Sequence, residues 1–313
     1  MILGNYQPAL NLSYNLTREV DGLRPRESVF LHYSTLESFY SIMDTARLRF
    51  TSVKSTNDPS EFLFGKDVLD RALLEALEGA TAAERSIINE AILSAKTQDF
   101  RAFVFCMSEA LGDEAEVGEL SQWRLYGADG LGIGLVFDVS NSQRQNLLQR
   151  LTSIPRLVTY GEADGMALVK QEIRAFLDGI HTLPADTQTY LRENPSAAGG
   201  YLSNCIFWLP SVIKHKAYRH EREVRLIRGD IGESAGNPLV FYEKGLIRRP
   251  AIELPISDFS ENSPQSHHAS PIRKVIIGPS GDQSAIEDSI RFFLEARNWN
   301  LEIARSDIPY RAV

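Results

Sequence analysis

Short β-branched and aromatic runs interleave with helical stretches in no regular alternation along these 313 residues. A doubly wound parallel sheet demands strict strand–helix–strand repetition, so the irregular order points to an α+β fold instead. Ser28–Tyr33 (SVFLHY) reads as a first strand, and Thr35 as the cap of a helix with Leu36, Phe39, Tyr40 and Met43 on one face. Leu48–Val53 reads as a second strand, closed by the turn cluster Ser55-Thr56-Asn57-Asp58-Pro59. Helical periodicity follows over Phe62–Leu77 and Ala82–Ala95, then a strong strand at Ala102–Ser108 (AFVFCMS). Further strands are expected at Gly132–Asp138, Arg156–Tyr160, Glu223–Ile227, Leu239–Tyr242, Ile247–Leu254, Lys274–Ile277 and Leu301–Ala304, with a last helix at Ser284–Ala296. Residues 1–27 are polar and read as a loosely attached arm; 28–313 read as a single domain with helical insertions near 62–98 and 164–216.

Composition narrows the functional classes. The balance of 41 acidic against 33 basic residues gives a net charge of −8, which excludes a generally basic nucleic-acid coat but leaves room for a local basic groove. No stretch approaches the roughly 18 uninterrupted apolar residues of a membrane helix. The opening MILGNYQPALNLSYNLTREV lacks the basic start and apolar centre of a secretion signal. Cys106 and Cys205 both lie in apolar runs, so the expectation is no disulfide scaffold and a reducing cytoplasm.

Few local motifs carry chemistry. Gly130, Gly132 and Gly134 alternate, but a strand follows them, whereas a dinucleotide fingerprint needs a helix N-terminus. Gly278-Pro279-Ser280-Gly281 lies between a strand and a helix, lacks the ending of a phosphate loop, and reads as a connecting turn. His215 and His220 are five apart, His267 and His268 adjacent in a loop, and no Cys-x-x-Cys pair exists, so no zinc site is expected, while scattered carboxylates leave room for magnesium. Both thiols sit among apolar residues, where burial blunts a nucleophile.

The segment Lys214–Arg228 (KHKAYRHEREVRLIR) is more informative, with six Lys/Arg against two Glu. Glu221, Glu223 and Arg225 recur at period two, and on a strand they would share one face, with neighbouring carboxylates roughly 6–7 Å apart along the chain. Two carboxylates ringed by cations suit stabilisation of a positive transition state beside a bound polyanion. The plainer alternative is an edge strand with surface ion pairs. His32 on the first strand, Ser108 at the end of a middle strand, Asn57 in a turn, and Trp123 with Tyr126 on a short helix are each weak alone. Together they put His, Ser and Glu on three separate strands.

The ordered blocks LHYST (31–35), NDPSE (57–61), FCMSE (105–109), QWRLYGADGLGIGLVFD (122–138), EREVRLI (221–227), RKVIIGP (273–279) and the ending SDIPYR resemble the bacterial family called domain of unknown function 2971. The chain is also similar, more weakly, to the ADP-ribosyltransferase fold, which uses a His or Arg on the first strand, a hydroxyl on a middle strand and a late Glu, often as Glu-x-Glu. That resemblance implies two small packed β-sheets with NAD in the cleft between them. It implies Glu223 as the catalytic acid, Glu221 as its partner, and His32 and Ser108 as cofactor contacts. Tyr33 and Tyr126, with Trp123, stand as alternatives for stacking on nicotinamide, Asn57 lies in a loop that would cover NAD, and Arg225 is a cation for pyrophosphate. The middle motif departs from the Ser-Thr-Ser of arginine-modifying relatives. The implied activity is therefore NAD-dependent ADP-ribosyl transfer, of bacterial toxin or antiviral-defence type, to an RNA, DNA or protein acceptor, without a metal and with room for a neutralising antitoxin. Two rivals come from the residues themselves: a metal-dependent nuclease or phosphohydrolase using Asp58, Glu61, Glu221 and Glu223, and a non-enzymatic module whose basic strand binds nucleic acid or a partner.

Overall fold

A computed structural model describes residues 11–12, 28–56, 59–97, 102–140, 155–229, 239–244, 247–256 and 270–312. The expected N-terminal arm lies almost wholly outside them, as do Asn57, Asp58, His267 and His268. The chain divides into two compact units, one of residues 1–24, 52–103 and 156–220, the other of 25–51, 104–155 and 221–313. The helix-rich stretches expected as insertions fall in the first of these.

The first unit is mainly helical. Its long helices are α2 (Pro59–Gly79), α3 (Ala82–Thr97), α6 (Glu162–Ile180), α7 (Ala185–Glu193) and α8 (Pro195–Ile206). The prolines act as boundaries: Pro184 precedes α7 and Pro195 opens α8, where a missing N–H costs no helical bond. Helix α8 packs along α3 and α2 against α6, which buries Val68, Ala72, Ile88, Ala91, Val169, Phe176 and Leu202. A two-stranded parallel ladder joins β6 (Thr159–Tyr160) to β7 (Ile213–Lys214); β5 is the short strand Arg156–Leu157.

The second unit is built on the larger sheet. Its strands are β1 (Val29–Ser34), β2 (Arg47–Ser52), β3 (Phe103–Glu109), β4 (Ile133–Asp138), β8 (Glu223–Arg228), β9 (Leu239–Lys244), β10 (Ile247–Pro255), β11 (Ile272–Ile277) and β12 (Glu302–Arg305). They run in the order β12-β11-β4-β1-β3-β2-β10-β9, with β8 joining β3 off this path. β11 and β12 are parallel, and β1 is antiparallel to both β3 and β4, so the sheet is mixed. The α+β class therefore stands, but one large mixed sheet and a separate two-stranded ladder take the place of two small packed sheets.

Helix α1 (Leu36–Thr45) follows β1, and the Thr35 side chain caps it by accepting from the Ser38 amide at 3.1 Å. It buries Phe39, Ile42 and Met43. The closing helix α9 (Gln283–Ala296) brings Phe293 within 4.8 Å of the Tyr40 ring. The alternating glycines serve close packing, as their strand position suggests: a Cβ on Gly132 would lie 2.1 Å from the Ser34 carbonyl oxygen. The Gly278–Gly281 turn uses its amides internally, Gly278 N–H to Gly132 O at 2.9 Å and Ser280 N–H to Gly130 O at 3.0 Å.

Candidate functional site

The site begins where β3 ends. β1 and β3 pair at only two positions, Phe30 with Glu109 and Leu31 with Ser108. Residues opposite each other across a ladder share a face and successive residues alternate. Ser108 therefore lies on the face of Leu31, and His32 on the other. This corrects the expectation that His32 and Ser108 line one cleft: their separation is a consequence of strand register. The His32 ring lies 4.4 Å from that of Phe105, and Nδ1 is 2.8 Å from the Cys106 carbonyl oxygen. A carbonyl only accepts, so the proton is assigned to Nδ1 and the ring stands in for the ladder bond that β1 no longer makes. Burial pulls the imidazole below its ordinary pKa, outweighing the Cys106 carbonyl, which favours the protonated form.

The short helices α4 (Glu114–Val117) and α5 (Leu120–Leu125) cover the Ser108 face. Trp123 is the plug. It is fully buried with Leu31, Tyr33, Ala110, Val136 and Ile276, its indole N–H donates to the Val117 carbonyl at 3.1 Å, and it meets Tyr33 edge-on at 4.9 Å. Gly118 between the helices has φ +79°, and a Cβ there would sit 2.4 Å from the Trp123 Nε1, so the turn requires glycine. Glu119 caps α5, accepting from the Gln122 amide at 2.9 Å and from the Ser121 hydroxyl. Burial alone would raise the Glu119 pKa; the bonds from Ser121 and Gln122 together, with the Arg222 charge, carry it below the usual range.

Helix α5 and the residue after it present two polar groups one turn apart, Gln122 and Tyr126. Gln122 is 2% exposed; its Oε1 accepts from the Ser108 hydroxyl at 3.3 Å, while Nε2 has no hydrogen-bond partner among the described residues. The Tyr126 hydroxyl donates to Glu221 Oε1 at 2.9 Å, and its ring is partly in solvent. Tyr33, by contrast, is buried against Trp123, with its hydroxyl accepting from the Glu119 amide at 2.9 Å. Burial pushes that phenol far above its ordinary pKa, with the Glu119 amide opposing. Of the three aromatics considered for stacking, Tyr126 has the most exposed ring, since Trp123 and Tyr33 are core residues.

The carboxylates arrive by a kink. Glu221 ends a 3-10 turn, Arg222 takes the left-handed conformation at φ 44°, and β8 starts at Glu223. Glu221 and Glu223 therefore do not share a strand face, as period two alone predicts; only Glu223 and Arg225 do. Arg225 grips Glu223 through two hydrogen bonds of 2.9 Å, both side chains buried. Arg222 accepts from the Glu109 amide through its carbonyl at 3.0 Å and donates from Nη2 to both Glu114 oxygens at 2.7 and 2.6 Å. Ser108, Gln122, Tyr126 and Glu221 are thus brought together near the start of β8, where Glu223 and Arg225 follow. Sequence reasoning misses Gln122, although its four-residue spacing from Tyr126 on a short helix is visible there.

One other expectation changes. Arg225, the cation assigned to pyrophosphate, is engaged with Glu223; its neighbours in the basic segment are engaged too, Arg222 with Glu114 and, in the helical unit, Lys214 with Glu61 at 3.4 Å. Among the described residues no group of three or more His, Cys, Asp or Glu side chains is placed to hold a metal ion, and no helix is long and apolar enough to cross a membrane. Residues 122–226 match the family model "Protein of unknown function (DUF2971)", a span that runs from Gln122 into β8 and includes Tyr126, Glu221, Glu223 and Arg225. No curated protein and no solved structure matches the chain.

Proposed function

We propose that the second unit is an NAD-dependent ADP-ribosyltransferase with a nucleic-acid acceptor. The observation that carries the reading is the pair of buried carboxylates flanking Arg222, each gripped by a neighbouring side chain: Glu223 by Arg225 and Glu221 by the Tyr126 hydroxyl. An acid fixed before the substrate arrives stabilises a developing cation without reorganising.

In this reading nicotinamide leaves C1′ of the ribose with its bonding electrons, and positive charge grows on the sugar as in glycoside hydrolysis. Glu223 accepts from the ribose 2′-OH and lowers the energy of that oxocarbenium ion. Glu221 takes the proton of the acceptor nucleophile as its bond to C1′ forms, and Tyr126 holds Glu221 for that step. The exposed Tyr126 ring offers a face for nicotinamide, and the Gln122 Nε2–H a donor for the cofactor. His32, on the other face of β1, makes no ribose contact here; its ring holds the fork between β1 and β3. The cleft for NAD and a role in bacterial toxicity or defence belong to the same reading. A metal-dependent phosphohydrolase draws less support, because Glu61 and Glu223 are each committed to a cation.

The test is incubation with NAD labelled in its adenylate half, following free nicotinamide and the entry of label into RNA, DNA or protein. Transfer to RNA or DNA that Glu223→Gln abolishes supports the reading. Nicotinamide release by that variant at the parent rate overturns it.

A further inference from the structure

The basic side chains around residue 220 divide into those with acid partners and those without. Lys214, Arg222 and Arg225 each contact a carboxylate. Lys216, Arg219 and His220, all exposed in the turn between them, form no ion pair among the described residues. These three line an open hollow of about 430 Å³ with Ala217, and no carboxylate lines it among the described residues.

Backbone geometry makes this clustering costly. Lys216–Glu221 is a 3-10 turn, in which side chains at i and i+3 eclipse, so Lys216 and Arg219 project from one side as like charges. The turn is also firmly rooted. Its entry residue Lys214 is buried, paired with Glu61 and set 4.8 Å over the Tyr218 ring. His215 packs edge-on against Phe64 at 5.6 Å, and its Nδ1 accepts from the Ala217 amide at 3.2 Å. A rigid mount that holds two cations and an imidazole together, with no counter-charge among the described residues, suits an anion.

We infer that Lys216, Arg219 and His220 anchor a backbone phosphate of a single-stranded nucleic acid. This rests on the proposal that the acceptor is a nucleic acid. The openness of the hollow separates this anion from the pyrophosphate of NAD: small cofactors are largely enclosed by their pockets, whereas phosphodiester contacts are made at the surface by Arg, Lys and polar side chains, and position the strand without reading its sequence. Glu221 follows His220 directly in the chain, so the anchor and the proposed base are consecutive in sequence.

The experiment measures binding of a fluorescein-labelled 12-nucleotide RNA by anisotropy across a salt series, for the parent and the Lys216→Ala/Arg219→Ala variant. A methylphosphonate oligonucleotide without backbone charge serves as the control. The variant is expected to bind about tenfold more weakly at moderate salt. Its log–log salt slope should be shallower by about 1.4, since each single-strand phosphate that is no longer neutralised is worth about 0.7. The neutral oligonucleotide should bind neither protein. The KM for NAD in acceptor-free NAD hydrolysis should stay at the parent value, and the melting curve should be unchanged because both side chains are exposed. Unchanged RNA affinity and slope would overturn the inference, as would absence of RNA binding by the parent or a defect that appears in the KM for NAD instead. RNA binding that depends on the two cations in a protein that never releases nicotinamide would leave the anchor standing and remove the transferase.

Discussion

Both units carry exposed ion pairs, in the sheet unit for example Arg248–Glu243 and Arg297–Asp44, but the sheet unit adds a set that is buried. In the helical unit most ion pairs lie on the surface, as Lys66–Asp70, Arg71–Asp67, Lys170–Glu75 and Arg174–Asp178 do, with each partner roughly half in water. Such pairs are screened and contribute little to stability. In the sheet unit Arg225–Glu223 is buried, Arg222–Glu114 mostly so, and Lys274, 1% exposed, reaches both Glu116 and Glu302. A buried pair has already lost its hydration, so neutralising one member strands the other. Lys214–Glu61 is the helical unit's buried exception, and it lies under the basic turn. Charge mainly keeps the surface polar in the helical unit, and in the sheet unit it also holds buried side chains at fixed positions.

That contrast is sharpest at Glu223. Glu223→Ala should cost about 3–5 kcal/mol in denaturant unfolding, because Arg225 is left buried and uncompensated, whereas Arg174→Ala should cost at most about 1 kcal/mol. Equal losses would erase the distinction between the units. Glu223→Gln with Arg225→Met removes both charges together. It should melt near the parent temperature while nicotinamide release falls by about 10²–10³-fold, roughly 3–4 kcal/mol of transition-state stabilisation; retained turnover would make the pair purely architectural. Glu119→Ala removes the cap of α5 and should cost about 1 kcal/mol. The folded-state pKa of Glu119 is depressed, so its stabilisation is present above the ordinary carboxylate value of 4.5 and is lost as pH falls through the lower folded value. The variant's stability should therefore depend less on pH in the acid range. His32 gives the smallest effect. Its folded pKa is also depressed, so the unfolded chain takes up the proton first, and stability should decline as pH drops below about 6.5. His32→Gln should flatten the melting temperature between pH 7 and pH 5, and an unaltered slope would put the sensitivity elsewhere.

Local order was largely legible. Thr35 caps its helix as read, Pro184 and Pro195 mark helix starts, and the strands around Phe105, Val136, Leu226 and Val275 fall within a residue or two of the expected limits. These features depend on side-chain periodicity and turn chemistry within a few residues. The site was half legible. Glu223 and Arg225 share a face because period two holds on β8, but Arg222 adopts a left-handed conformation that is uncommon outside glycine and has no local signature. Glu221 consequently turns to Tyr126, 95 residues earlier. The separation of His32 from Ser108 depends on which residue of β1 pairs with which of β3, a relation set by contacts 77 positions apart. Glu114 and Glu116 likewise meet cations more than a hundred residues away.

Trp123 has one further use. Its indole is sealed from water beside Tyr33, and Gln122 precedes it in the helix whose next turn ends at Tyr126. With Trp208 and Trp299 replaced by phenylalanine, the protein's tryptophan emission would come from this single ring, and a ligand settling on Gln122 or Tyr126 would register as a shift in its colour or brightness without any attached dye.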